Sequence, residues 1–214
     1  MLSKKLYNEL SKRKVFLFDF DGTLLNSEKY HMKAHSFVLS KILNKKYKMK
    51  YKIFNNYVGN TDDIIFEKYK TDFDVNFDKE EMINLKVEKS RQLLKDKKVK
   101  IFNYFFKLKE KFINTDFYIV SNQEEEFLKD ILENKKIIDS FKEIISVPKL
   151  KIKKEEFLSN IYQNLGTKPE QCVLFEDVDK YLKCAKSLGM FAVGIESKRN
   201  KKSLKSADYI IKAR

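Results

Sequence analysis

Apolar and polar positions change their period twice along this chain. Val15-Phe-Leu-Phe18 is an unbroken apolar run of strand length that stops at Asp19, the pattern of a strand buried on both faces. From Ser27 to about Lys97 the period becomes helical and no convincing strand interrupts it. His31, Ala34, His35, Val38, Leu39 and Ile42 recur three and four residues apart, as do Ile64, Ile65 and Tyr69, and later Met82, Leu85, Lys89 and Leu93 with their apolar neighbours. Gly59 and Asn60 punctuate this stretch as a turn, with Asn60 or Thr61 available to cap the next helix. Asp78 with Glu81 three residues on reads as a capping box.

Beyond residue 98 strands and helices alternate. The pattern predicts a helix over Ile101–Phe112, a strand over Asp116–Ser121, a helix over Glu124–Asn134 and a short strand over Glu143–Ser146. A helix follows over Glu155–Leu165, then a buried strand at Cys172–Phe175, a helix over Tyr181–Leu188, a strand over Phe191–Ile195 and an edge strand over Ala207–Ile211. Such alternation with right-handed crossovers builds a doubly wound parallel sheet, an α/β Rossmann-like core. The expected division is 1–26 with 98–214 as the core and 27–97 as an inserted all-helical domain. Ligands bind beyond the carboxyl ends of such strands. Asp19, Asp21, Ser121, Glu176 and Asp177 all fall there.

Asp19 and Asp21 carry the first chemical argument. On a continuing strand both side chains would point the same way. Each polar group left unpaired in an apolar setting costs roughly 2–7 kcal/mol, and two like charges side by side add repulsion. A structure does not need this arrangement; a divalent cation together with a reacting anion would explain it. The purely structural reading, in which Asp21-Gly22 merely forms a turn after the strand, is the lesser one.

Asp19-Phe-Asp21-Gly-Thr23 resembles the first motif, Asp-x-Asp-x-Thr/Val, of the haloacid dehalogenase-like hydrolase superfamily. The resemblance continues through three further motifs in order. Tyr118-Ile-Val-Ser121-Asn122 matches the strand ending in a hydroxyl. Lys151-Ile-Lys-Lys-Glu-Glu-Phe157 matches the lysine motif Lys-Pro-x-Pro-x-x-Phe, with Ile152 and Lys154 in place of the prolines and with Lys149, Lys153 and Lys154 crowding the same stretch as alternatives to Lys151. Val173-Leu-Phe-Glu176-Asp177 matches the acidic pair, although Val178 and Tyr181 stand where relatives carry Ser and Gly. Residues 27–97 fall where relatives carry a small helical cap, hinged here at Ser27 and at 94–98.

This resemblance implies a phosphatase working through an aspartyl phosphate. Asp19 would be the nucleophile and Asp21 the general acid and base, with Ser121 and Lys151 neutralising the phosphoryl oxygens. Magnesium would be held by Asp19, the backbone carbonyl of Asp21, Glu176 and Asp177. Thr23, Asn122, His31 and Gly59 would contribute to substrate binding. The substrate would be a small phosphorylated metabolite, chosen largely by a cap that closes during chemistry.

Composition narrows this picture. Hydrophobic residues make up 43% of the 214, with 18 Phe and 11 Tyr, ample for a large core. No apolar stretch approaches the ~20 residues of a membrane helix, and Met1–Lys14 lacks the pattern of a secretory signal. A cytoplasmic enzyme with reduced Cys172 and Cys184 is expected, and at this size a monomer would suffice. The net charge of +14 raises nucleic acid as a partner, but the lysines are spread along the chain among Glu and Asp. That argues against a concentrated binding face and for a solvated basic surface.

Three rival functions follow from the same residues. Dehalogenases of the superfamily lack the second aspartate of the first motif, so Asp21 counts against that activity. A β-phosphoglucomutase-like mutase shares core and cap, but this chain has Gly59-Asn-Thr-Asp62 where such enzymes resemble Gly-Val-Ser-Arg. A non-catalytic basic module binding nucleic acid or another partner is opposed by the intact acidic set.

Overall fold

The structure is a computed structural model that describes residues 3–213. Met1, Leu2 and Arg214, assigned to the core from sequence, lie outside the described residues. The chain forms two compact units, Met1–Asn26 with Lys100–Arg214, and Ser27–Val99.

The first unit opens with a helix, α1 (Lys4–Leu10), whose first turn is capped by the Ser3 hydroxyl accepting from Leu6 N–H. Sequence periodicity did not announce it. Leu6 and Leu10 are buried on its inner face. Its strands are β1 (Val15–Phe18), β2 (Asp116–Ser121), β3 (Glu143–Ser146), β4 (Cys172–Glu176), β5 (Phe191–Glu196) and β6 (Tyr209–Lys212). They form one sheet in the order β3-β2-β1-β4-β5-β6, with every pairing parallel. This is the doubly wound arrangement expected from the alternation, with β1 in its middle.

Alternation along β1 explains the two layers. Phe16 and Phe18 face one side, where Phe18 stacks on Phe175 with centroids 4.5 Å apart and Phe16 stacks on Phe117 at 5.3 Å. Phe105, from the helix α6 (Asn103–Lys111), meets Phe18 edge-on. Val15 and Leu17 face the other side with Tyr118, Val120, Cys172 and Leu174. Three further helices supply the cover there. They are α9 (Lys154–Ser159), contributing Phe157 and Leu158, α10 (Ile161–Leu165), contributing Ile161, and α11 (Asp179–Ser187), contributing Tyr181 and Ala185. Each leucine, isoleucine or phenylalanine among them contributes about 1.5–3 kcal/mol on burial.

Two local expectations change. The single helix expected over Glu155–Leu165 is two, because Asn160 adopts φ −101°, ψ 27° and interrupts the first. That bridge conformation is open to Asn but does not continue a helix. The last strand is Tyr209–Lys212, two residues later at its start than its apolar residues suggest. Gly189 closes α11 at φ 90°, as expected of a residue freed from Cβ.

The second unit is helical among its described residues: α2 (Glu28–Ile42), α3 (Tyr51–Phe54), α4 (Asp62–Phe73) and α5 (Lys79–Leu94). Asp78 caps α5 by accepting from Glu81 N–H at 2.8 Å. Val38, Leu39, Phe54, Tyr57, Phe66 and Tyr69 form its core. His35 is a packing residue there, its Nδ1 2.8 Å from the Tyr69 hydroxyl. Burial, with smaller contributions from Lys86 and His31, holds its pKa well below the ordinary value, so the ring is neutral.

Lys86 is 3% exposed and binds Asp62 at 2.8 Å. Removing one partner of a buried pair strands the other's charge, at about 3–5 kcal/mol. Lys86→Met is therefore expected to destabilise this unit by about 3 kcal/mol in urea denaturation, the low end because Asp62 keeps 20% of its exposure. Lys86→Met combined with Asp62→Leu should recover most of the loss. A single variant as stable as the wild type would contradict the assignment.

Candidate active site

Strand register brings the acidic groups together. Phe18 pairs with Phe175 across β1 and β4, and the Asp19 N–H extends that ladder by donating to the Phe175 carbonyl at 3.0 Å. Asp19 lies two residues beyond Leu17, and Glu176 two beyond Leu174. Both therefore leave the sheet on the face covered by α9, from strands about 4.8 Å apart. Carboxylate oxygens of Asp19, Glu176 and Asp177 lie within 4.8 Å of one another. The Glu176 and Asp177 side chains are 1% and 3% exposed, whereas Asp19 retains 13%.

Three carboxylates cannot be gathered this way without compensation. Lys154 provides part of it: its Nζ donates to Asp19 Oδ1 at 2.8 Å and to Glu176 Oε2 at 2.7 Å. Burial works against its charge, but Asp19 and then Glu176 outweigh it and hold its pKa far above the ordinary value. The other Glu176 oxygen accepts from the N–H groups of Asp177 and Val178 at 2.9 and 3.1 Å. Arg199 pairs with Asp177 Oδ2 and donates to its carbonyl at 3.2 Å, while buried Asn200 donates to the same carbonyl at 2.8 Å. Even so, burial and the Glu176 charge push Asp19 up to about 7 against the opposing pull of Lys154. A site of hard oxygen donors that still disfavours its own negative charge fits a divalent cation.

Beyond Asp19 the strand does not persist. Gly22, at φ 79°, turns the chain, and its N–H donates to the Leu25 carbonyl at 3.0 Å. The position of Asp21 is thus set by a turn and not by strand alternation. Its Oδ2 accepts from Gln123 Nε2 at 2.7 Å. The backbone N–H of Gln123 also donates to the Ser121 hydroxyl at 3.2 Å, so one residue joins the ends of β1 and β2. Thr23 is fully buried, with no hydrogen-bond partner for its hydroxyl among the described residues. Its carbonyl accepts from Tyr104 at 2.8 Å. Asn122 donates to the Tyr181 hydroxyl at 2.9 Å.

The model of the family described as haloacid dehalogenase-like hydrolase matches residues 16–195. The chain belongs to this family. No curated protein matches it. Solved structures of haloacid dehalogenase-like proteins resemble it over nearly its whole length. CbbY from Rhodobacter sphaeroides in complex with phosphate is 16% identical with a TM-score of 0.80, covering 94% of each chain. β-Phosphoglucomutase from Clostridium difficile is 20% identical at 0.77, covering 94% of this chain and 91% of its own. A predicted phosphoglycolate phosphatase from Haemophilus somnus 129PT is 18% identical at 0.74, covering 94% and 95%. At these identities the likeness establishes the fold, and the family assignment makes the chain a haloacid dehalogenase-like hydrolase by class.

Against the haloacid dehalogenase-like pattern, the lysine needs correction. Lys151, aligned with the motif, does not meet Asp19 in this structure. It is exposed in a left-handed conformation, φ 56°, closing the four-residue helix α8 (Val147–Leu150). Lys149 pairs with Glu125, and Lys153 precedes α9 as its cap residue. Helix α9 starts at Lys154, and residues three and four apart share a helix face. Lys154 therefore shares the inward face of Phe157 and Leu158. Counting one helical turn back from the buried Phe157, not aligning the motif's first letter, locates it. Gln123, Tyr181 and Arg199 were not singled out as site residues from sequence, since nothing local distinguishes them. His31 and Gly59 belong to the second unit; His31 is 6% exposed in the first turn of α2, and Gly59 has φ 80°.

Proposed function

We propose that this chain is a magnesium-dependent phosphatase acting on a small phosphorylated metabolite through an aspartyl phosphate on Asp19. The observation that carries the reading is Asp19 itself: a partly accessible carboxylate, clustered with two others and bridged to one of them by a buried lysine. A carboxylate so placed is oriented for attack, with positive charge beside the position that transferred oxygens would take.

Asp19 and Asp177, with Glu176 and the Asp21 carbonyl, would hold magnesium. When bound, the ion would offset phosphoryl charge and orient the transferring group. Asp19 attacks phosphorus, and Asp21 donates its proton to the leaving oxygen. Asp21 then takes a proton from water, which hydrolyses the aspartyl phosphate and frees Asp19. Gln123 steadies Asp21 between these steps. Lys154 and Ser121 face the phosphoryl oxygens, Lys154 taking the role first expected of Lys151. Residues 27–97 would act as the cap, with His31 and Gly59 contributing to substrate choice alongside Thr23 and Asn122.

The mutase alternative is weakened by Asp62, which is engaged with Lys86 where an arginine would be needed to bind a distal phosphate. Phosphate release from p-nitrophenyl phosphate, with magnesium and with EDTA, tests the proposal. Magnesium-dependent release supports it. Conversion of a hexose 1-phosphate to the 6-phosphate without release of inorganic phosphate would replace it with the mutase.

Cation binding should also be visible without turnover. Asp19 is driven to hold its proton up to about pH 7, so magnesium must displace that proton at lower pH. Magnesium is expected to raise Tm by several degrees at pH 8 and by clearly less at pH 5.5. An equal shift at both would contradict ligation by Asp19.

A further inference from the structure

We infer that Tyr181 is the positioning residue that holds Lys154 between Asp19 and Glu176. The contact stands on geometry alone, and its kinetic consequence rests on the phosphatase reading.

Lys154 comes from the first residue of a six-residue helix and must carry its charge along a flexible four-carbon stem. Its side chain is fully buried, and an ammonium has three N–H donors. Two are used by the carboxylates at 2.8 and 2.7 Å. The centroid of the Tyr181 ring lies 4.9 Å from the same nitrogen, within the distance at which an aromatic face attracts a cation.

The ring is fixed at its far end. Tyr181 is 3% exposed, and its hydroxyl accepts from the Asn122 amide, next to Ser121. One rigid side chain thus connects the end of β2 to the lysine of α9. A second cation, Lys180, lies 4.4 Å from the same ring centroid.

Two departures from the family pattern meet here. Tyr181 occupies the place of a glycine, and the lysine that reaches Asp19 lies three residues beyond the motif position. A glycine offers no ring to a lysine arriving from Lys154. In this chain Tyr181 supplies one, and the short helix needs no prolines to aim its cation.

The test compares Tyr181→Phe with Tyr181→Met, which keeps most of the apolar volume but has no aromatic face, and with Tyr181→Leu should the methionine variant not fold. With p-nitrophenyl phosphate and saturating magnesium, the non-aromatic variant is expected to lower kcat about tenfold. KM should stay within about twofold, the pattern of an interaction strengthened at the transition state. Inhibition by orthovanadate should weaken by a similar factor, while inhibition by inorganic phosphate changes little. Tyr181→Phe should recover most of kcat.

Thermal unfolding of Tyr181→Met, Lys154→Met and the double variant supplies a readout that needs no turnover. The contact predicts non-additivity of about threefold or more in the unfolding constant. Additive effects, or a folded non-aromatic variant with kcat within twofold of wild type, would overturn the inference. A wild type that releases no phosphate would instead overturn the phosphatase reading, with the unfolding cycle still deciding whether Tyr181 holds Lys154.

Discussion

Asp19→Asn is expected to abolish phosphate release from p-nitrophenyl phosphate, by on the order of 10³-fold or more, while making the metal-free protein more stable. The first effect follows from replacing an anionic nucleophile with a neutral amide that cannot form the acyl phosphate. The second follows from the site's electrostatics. Burial and Glu176 push the folded pKa of Asp19 up to about 7, above its value of about 3.9 in an unfolded chain. Between these values the folded state binds more protons than the unfolded one, so this group subtracts stability as pH rises through that window. At pH 8 the full penalty applies, about 2 kcal/mol after allowing for its coupling to Lys154 and Glu176.

Asparagine removes that charge while keeping an oxygen for Lys154. In EDTA at pH 8 the variant should melt about 5 °C above the wild type, with the gap closing as pH falls towards 4. Magnesium should reverse the order by stabilising the wild type alone. A variant that melts lower at pH 8 without metal would show that the Lys154 pair outweighs the penalty. Retained turnover would remove Asp19 from the chemistry altogether.

The second large effect separates two lysines three residues apart. Lys154→Met should lower kcat by about 10²–10³-fold, the range seen when a preorganised charge at a transition state is removed. It should also destabilise the fold, because Asp19 and Glu176 would then face each other without a cation between them. Lys151→Met should leave turnover within about twofold, since an exposed side chain at a helix end makes little net contribution. Steady-state kinetics on both variants, with circular dichroism to confirm folding, is sufficient. A large loss at Lys151 with a small one at Lys154 would restore the aligned motif over the observed geometry.

That pair also marks where the sequence is readable. The parallel sheet was legible because apolar runs such as Val15–Phe18 and Cys172–Phe175 have strand length and end in polar residues. Their positions in order also located Asp19, Ser121, Glu176 and Asp177 at the carboxyl ends of neighbouring strands. Asp78 announced its cap because the bond it makes is three residues away. Lys154 was not legible from the motif alone, since the lysine that reaches Asp19 lies three residues beyond the motif's first position, at the first residue of α9. Gln123, Tyr181 and Arg199 act across 102, 59 and 22 residues of sequence, on Asp21, Asn122 and Asp177. No local period encodes such pairings, which the sheet order alone creates. Helix α1 escaped notice because two buried leucines in seven residues are too few to define a period.

The first unit closes on itself where the helical segment leaves it. Asn26 N–H donates to the Lys100 carbonyl at 3.1 Å, Lys100 N–H donates to Asn26 Oδ1 at 2.7 Å, and Phe102 N–H donates to the Leu24 carbonyl at 3.0 Å. The two ends of the insertion are therefore fastened together before any of its residues are counted. Closing a longer loop between fastened ends costs only about 0.6 kcal/mol per doubling of its length. The catalytic sheet is accordingly indifferent to what is threaded through that clasp. Segments of other lengths and compositions are therefore expected to be exchangeable there at little cost to the sheet that carries Asp19.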